Sequence, residues 1–207
     1  MPGFLFSLSF HEAAHGYVAN KFGDPTAKMM GRVTLNPVPH TDILGTLILP
    51  ISGLLFGGFL FGWGKPVPVN YRNLKNVKRD ALWISAAGPL SNLILVFCFA
   101  GVINAFRAAV PTLAEHFTPF VLQKIYGALI QVFALNVALC IFNLIPIQPL
   151  DGSKILFGIL PTHLGVKVDQ FTTRYGMIIL IALMLFGVLP YLIMPFLSFF
   201  SKLLLGM

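Results

Sequence analysis

His11, Glu12 and His15 are the residues whose types and spacing speak most directly of chemistry. In His11-Glu12-Ala13-Ala14-His15 two imidazoles stand one helical turn apart, so they share a helix face and can bind one metal ion through their nitrogens. Glu12 lies beside that face, where its carboxylate can take a proton from a water polarised by the metal and return it to a leaving amine. The same pattern also occurs as two satisfied helix histidines beside a surface glutamate. The surroundings favour the metal: the motif lies in an apolar stretch, where each ionisable group near a bilayer centre costs about 2.5–3.5 kcal/mol, and a bound cation offsets that cost.

A hydrolytic zinc site takes three protein ligands and keeps a fourth position open, so a further His, Asp or Glu is required. Asp151 is the best candidate. It ends the run Asn143-Leu144-Ile145-Pro146-Ile147-Gln148-Pro149-Leu150-Asp151, followed by Gly152, in which two prolines break a helix end. Unpaired backbone at a membrane edge needs a structural reason, and holding a ligand is one. An ordinary turn closing the helix is the other reading.

The elements that must position these groups follow from apolar length. Of the 207 residues 57% are apolar and 10% charged, which excludes ordinary globular usage and makes a membrane protein the default. Helices are expected over about Gly3–Asn20, Ala81–Ala108, Phe120–Asn143 and Tyr175–Phe200, with segments such as Trp83–Ala105 and Met177–Phe200 long enough to span. The apolar stretch Ile43–Trp63 is interrupted by Gly45, Pro50, Gly53, Gly57, Gly58 and Gly62, so it either spans or re-enters. If it spans, the basic residues divide almost evenly between the two sides. If it re-enters, only Arg107, Lys124 and Lys202 lie opposite the rest, and positive-inside orientation favours this arrangement. The expected fold is an all-α polytopic bundle of about four transmembrane spans plus a re-entrant element, forming one membrane-embedded domain over residues 1–207.

The net charge of +7 is spread through short connections between apolar segments, which fits loops beside anionic lipid and gives no reason to expect nucleic acid. Cys98 and Cys140 lie far apart in apolar stretches, so neither a disulfide framework nor a thiolate site is expected. The first ten residues lack a basic leader and a small-residue cleavage site, which argues against a signal peptide.

In order along the chain, the HExxH at 11–15, Gly88-Pro89-Leu90-Ser91-Asn92, and the NxxPxxPLDG run from Asn143 to Gly152 together resemble the site-2 protease family of intramembrane zinc metalloproteases, peptidase family M50. The similarity runs from about Phe10 to Leu160. Gly23–Ala27, Arg32–Pro37 and Gly62–Asn70 are similar to compact prokaryotic members without a PDZ or CBS domain. The resemblance implies one zinc ion held by His11, His15 and Asp151, Glu12 as catalytic base, and Asn92 and Asn143 near the scissile peptide. A side-chain amide there could hold an unwound strand or donate to a developing oxyanion. For Asn92 the alternative is a hydrogen bond that caps or cross-links helices, with Gly88 and Ser91 allowing close packing. His40 either lines the cavity mouth or makes a structural hydrogen bond in its loop. His116 and His163 read as loop residues.

The activity expected from the resemblance is endopeptidase cleavage of transmembrane proteins within the lipid bilayer, in a prokaryotic cell membrane with the active site towards the cytoplasm. No regulatory partner is legible. A membrane protein that binds or transports zinc through the same His, His and Asp is the alternative; Glu12 and the lack of any further string of embedded acidic or histidine residues speak against it. A prenyl-protein processing metalloprotease would usually take its third ligand from a glutamate. The glycine-rich stretch, the His40 loop and the basic 65–79 segment are expected to form a polar entrance. Cysteine accessibility along Gly53–Lys65 checks this: aqueous reagents should label part of it, and uniform protection would exclude the entrance.

Overall fold

The computed structural model describes residues 2–42, 45 and 64–207. Regular structure among them is helical, without strands, and contacts group the chain into two compact units, Met1–Gly88 and Pro89–Met207. The stretch 43–63, on which spanning or re-entry turns, lies outside the described residues except for Gly45.

The first unit contains α1 (Pro2–Lys21), the short α2 (Thr26–Met29), 3-10 turns at Val38–His40 and Tyr71–Asn73, and the opening of α3 (Val77–Leu113). Among the described residues, Ala19, Leu74 and Ile84 form an apolar cluster in this unit, packed around by Val18, Phe22 and Val69. Polar ties supplement that cluster. Asp24 is fully buried and accepts from the Asn70 amide at 2.7 Å, the Asn73 side-chain amide at 2.8 Å, the Thr26 amide at 3.2 Å and the Thr26 hydroxyl. These bonds fasten the end of α1 to the segment leading into α3. Asn76 and Asp80 then open α3 reciprocally. Asn76 Oδ1 accepts the Arg79 amide and Asp80 Oδ2 accepts the Asn76 amide, so amides that the helix itself leaves unpaired are satisfied.

The second unit holds the rest of α3, then α4 (Pro119–Asn143), α5 (Asp151–Ile159), α6 (Thr162–Leu185) and α7 (Val188–Leu205). Pro119 stands in the first turn of α4, where its missing N–H costs nothing. Val96, Ala100 and Ile103 of α3 pack with Phe133 and Val137 of α4 and Leu205 of α7. Asn104 and Arg107 donate to the carbonyls of Leu204 and Leu205 at 2.9 and 2.7 Å, supplying partners at the end of α7.

Four of the described helices, α3, α4, α6 and α7, are long and apolar enough to cross a membrane. Their outer faces carry Leu90, Ile94, Phe97, Ile178, Ile181, Phe196 and Phe199 exposed, as a lipid-facing surface requires. The set of spans differs from the sequence expectation in two places. α1 has spanning length but is not among the four, because His11, Glu12, His15, Asn20 and Lys21 dilute its apolar character. The single helix expected over Tyr175–Phe200 is two helices, separated at Gly187, whose φ of +67° ends α6 in the left-handed region that glycine adopts without a Cβ clash. α5 was not expected at all.

Burial alone would raise the Asp24 carboxyl, but the bonds from Thr26, Asn73 and Asn70 more than reverse this and hold it below the ordinary carboxylate value of 3.8. Its contribution to stability is therefore present above the unfolded value and lost as pH falls through the lower folded one. Asp24→Ala leaves several donors without their acceptor, and we expect it to cost on the order of 2–3 kcal/mol near neutral pH. Thermal unfolding in detergent at pH 7 and pH 3 checks this: the gap between parent and variant should shrink at the lower pH.

Candidate metal centre

α1 carries the HExxH sequence through its middle, and the one-turn spacing places both imidazoles on one face. His11, Glu12 and His15 are all buried. His15 Nδ1 lies 2.7 Å from the carbonyl oxygen of Ile84 on α3. A carbonyl only accepts, so Nδ1 carries the hydrogen and the neutral ring presents the lone pair of Nε2. That nitrogen lies 3.1 Å from His11 Nε2, with the rings edge to face. Two ring nitrogens so close need either a shared hydrogen or a common cation. A backbone carbonyl fixing the outer nitrogen of a ligating histidine is the usual support of a metal site.

The opposite wall is Gly88. A Cβ there would lie 2.6 Å from His11 Nε2 and closer still to His15 Nε2, so any side chain would occupy the space in front of the two nitrogens. Glycine at 88 thus leaves a cradle at the point where both donors converge. The donor chemistry and this cradle fit a borderline-soft divalent ion such as zinc.

Glu12 is held differently. Its Oε2 accepts the Val67 amide at 2.8 Å. Val67 belongs to the non-helical segment Gly64–Asn70, which is tied at one end by the Lys65 amide to the His40 carbonyl (2.9 Å) and at the other by the Asn70 amide to Asp24. His40 is nearly inaccessible, and its Nε2 donates to the Thr34 carbonyl at 2.9 Å, so it makes the structural bond of the two roles considered for it. Arg32 adds a bond to the Pro39 carbonyl at 2.6 Å.

Asp151, Asn92 and Asn143 belong to the second unit. Asp151 is the first residue of α5. The chain reaches it from Asn143 through an irregular stretch that includes a cis Gln148–Pro149 bond. Gly152 explains how the turn closes: a Cβ at this position would overlap the carbonyls of Leu144 and Ile145. Asn92 is fully buried and donates from Nδ2 to Asn136 Oδ1 at 3.0 Å, while Asn136 donates to the Val132 carbonyl at 2.8 Å. This is a cross-link between α3 and α4. Asn143 donates from Nδ2 to the Leu139 carbonyl of its own helix at 3.0 Å. Sequence reasoning missed Asn136, although an amide inside a mostly apolar span was a signal for it. It also missed the Val67 amide and the Ile84 carbonyl, which as backbone groups leave no trace in residue type.

A profile for Peptidase family M50 matches residues 2–187. The chain is 38% identical over 195 residues to the Bacillus subtilis protein named "Putative zinc metalloprotease YwhC", covering 94% of this chain and 83% of that one. It is 30% identical over 188 residues to a Mycolicibacterium smegmatis protein, "Putative zinc metalloprotease Rip2", covering 89% of this chain and 66% of the relative. An archaeal relative, "Zinc metalloprotease MJ0392" of Methanocaldococcus jannaschii, is 27% identical over 184 residues, 88% of this chain and 41% of its own length. No solved structure matches.

Gly88→Ala should abolish metal retention while leaving the helices intact, because its methyl group would meet both imidazoles. Metal analysis of the purified protein beside its circular dichroism checks this, and full metal content in a folded variant would show that the ion does not sit in the Gly88 cradle.

Proposed function

The chain belongs to peptidase family M50 and is a zinc-dependent metalloprotease of the membrane, and on that premise we propose that it cleaves peptide bonds of transmembrane segments within or at the edge of the bilayer. In this reading His11, His15 and Asp151 hold the zinc ion and Glu12 is the base. The observation that carries it is the wall on which the histidines rest. Ile84 and Gly88 lie on α3, a candidate span, and Gly88 is roughly 16 Å along that helix at 1.5 Å per residue. A hydrolytic centre built against a membrane-crossing helix meets substrates that are themselves in or beside the membrane.

The work of the individual groups follows from their geometry. Zinc, when bound, supplies Lewis-acid polarisation of water and of the scissile carbonyl. Ile84 keeps the hydrogen of His15 on Nδ1, which turns the Nε2 lone pair inward. The Val67 amide donates to Glu12 Oε2 and so fixes the carboxylate plane, leaving Oε1 as the oxygen that accepts the proton of the attacking water. The same carboxyl then delivers that proton to the departing amine nitrogen, and the base is restored. Asp151 provides the third, anionic ligand, as its place in the Pro-Leu-Asp-Gly run implies.

A helical substrate shields its peptide bonds with its own hydrogen bonds, so it must unwind locally before attack, and helix-breaking residues are expected near the cut. With a re-entrant 43–63 stretch, the spread of basic residues favours an active side facing the cytoplasm, and the similarity to compact prokaryotic members favours a prokaryotic cell membrane.

Glu12→Gln keeps the side chain's shape but removes the base. It should retain zinc and lose about 10²- to 10⁴-fold in cleavage of a transmembrane model substrate in liposomes. Parent-like cleavage by the variant would remove Glu12 from the reaction, and zinc-loaded parent protein inert towards a panel of transmembrane segments would count against the substrate class.

A further inference from the structure

We propose that Asp169 of α6 is the positioning residue of the Asp151 ligand arm, clamping the arm on both sides of the ligand. The inference rests on the reading of Asp151 as a zinc ligand. One carboxylate oxygen, Asp169 Oδ1, accepts from Gln148 Nε2 at 2.7 Å and from Lys154 Nζ at 3.0 Å. Gln148 precedes Asp151 in the irregular stretch, and Lys154 follows it in the first turn of α5. A single atom of α6 therefore fixes the chain before and after the ligand.

A second feature of α6 reinforces the clamp. Gly176 lies against the arm so closely that a Cβ would overlap the Gln148 carbonyl, and that same Cβ would come 3.1 Å from Ile147 Cγ2. The backbone of the arm is thus seated on α6 at Gly176, while its side chain at 148 is held at Asp169. Within the arm, the Ser153 amide and hydroxyl both donate to the Leu150 carbonyl, at 3.1 and 2.7 Å, and close the turn around Asp151. What these internal bonds leave undetermined is the rotation of this turn against α6. The Asp169 bonds set it, and with it the direction of the Asp151 carboxylate. Both bonds are charge-assisted, and a ligand one ångström out of place loosens its metal, which is why supports behind a ligand typically matter 10- to 100-fold in affinity.

The test measures zinc affinity of the full chain in detergent by competition with a chromogenic chelator, beside its thermal unfolding without zinc. Asp169→Ala should weaken zinc binding about 10- to 100-fold. Asp169→Asn, which keeps an acceptor oxygen for both partners, should restore most of it. Gln148→Ala should weaken binding in the same direction, and adding it to Asp169→Ala should cost little more, since both remove one clamp; it also serves where Asp169→Ala does not accumulate. Unchanged zinc affinity in Asp169→Ala or Gln148→Ala overturns the clamp, even if melting falls, provided Asp151→Ala has lost zinc. Undiminished zinc affinity in Asp151→Ala itself overturns the ligand assignment, and the clamp with it.

Discussion

Two imidazole nitrogens facing each other across 3.1 Å in a buried, largely apolar setting are the constraint around which the first unit is arranged. Left to water, each would be solvated separately. Held on one turn of α1 with the outer nitrogen of His15 committed to a carbonyl, they form a pair of donors that a shared cation stabilises. That demand explains the residue opposite. Only glycine at 88 lets α1 and α3 approach at this height without filling the space that the ion needs. Proline follows immediately at 89 inside α3, and helix geometry is maintained through it.

Glu12, the proposed base, is held by a different kind of structure from the two histidines. Helices satisfy their own backbone groups and have none to spare in mid-element, so a backbone donor for Glu12 has to come from chain that is not helical. The Gly64–Asn70 segment provides it, and its position is anchored at side chains and carbonyls distant in sequence: His40, through its own carbonyl, and Asp24. This accounts for Asp24 and His40 being buried polar residues. Each ties one end of the Gly64–Asn70 segment, so the Glu12 carboxylate keeps its orientation.

What was legible in the sequence follows the range of the forces involved. The His11, Glu12 and His15 arrangement could be read because a helix converts a spacing of four into a shared face whatever else surrounds it. Apolar length gave the start of α4 to within a residue, while α3 begins four residues before and ends five after the expected Ala81–Ala108. The break at Gly187 could not be read, because an apolar stretch looks the same whether it forms one helix or two, and the glycine is decisive only through a backbone angle. α5 was hidden for a related reason: Pro146 and Pro149 mark where a helix cannot continue, and nothing local says that a new one begins at Asp151. Lys154 and Gln148 meet Asp169 across a turn and into another helix, and such pairing carries no local periodicity.

Buried amides in the second unit show how a polar group inside a span is made tolerable. Asn92 and Asn136 lie wholly out of contact with solvent, and an unpaired amide there would cost several kilocalories per mole. Asn136 offers its oxygen to Asn92 and its nitrogen to the carbonyl of Val132, so the pair forms a directed chain from α3 into the backbone of α4. The direction matters. If the amide of Asn136 were reversed, its nitrogen would face that of Asn92 and its oxygen the carbonyl of Val132, two repulsions in place of two bonds. The Val132 carbonyl therefore sets the orientation of Asn136, and Asn136 sets that of Asn92. A role for Asn92 in holding substrate thus has to be compatible with an amide whose orientation is already imposed from α4, which makes Asn136 as necessary to such a role as Asn92 itself.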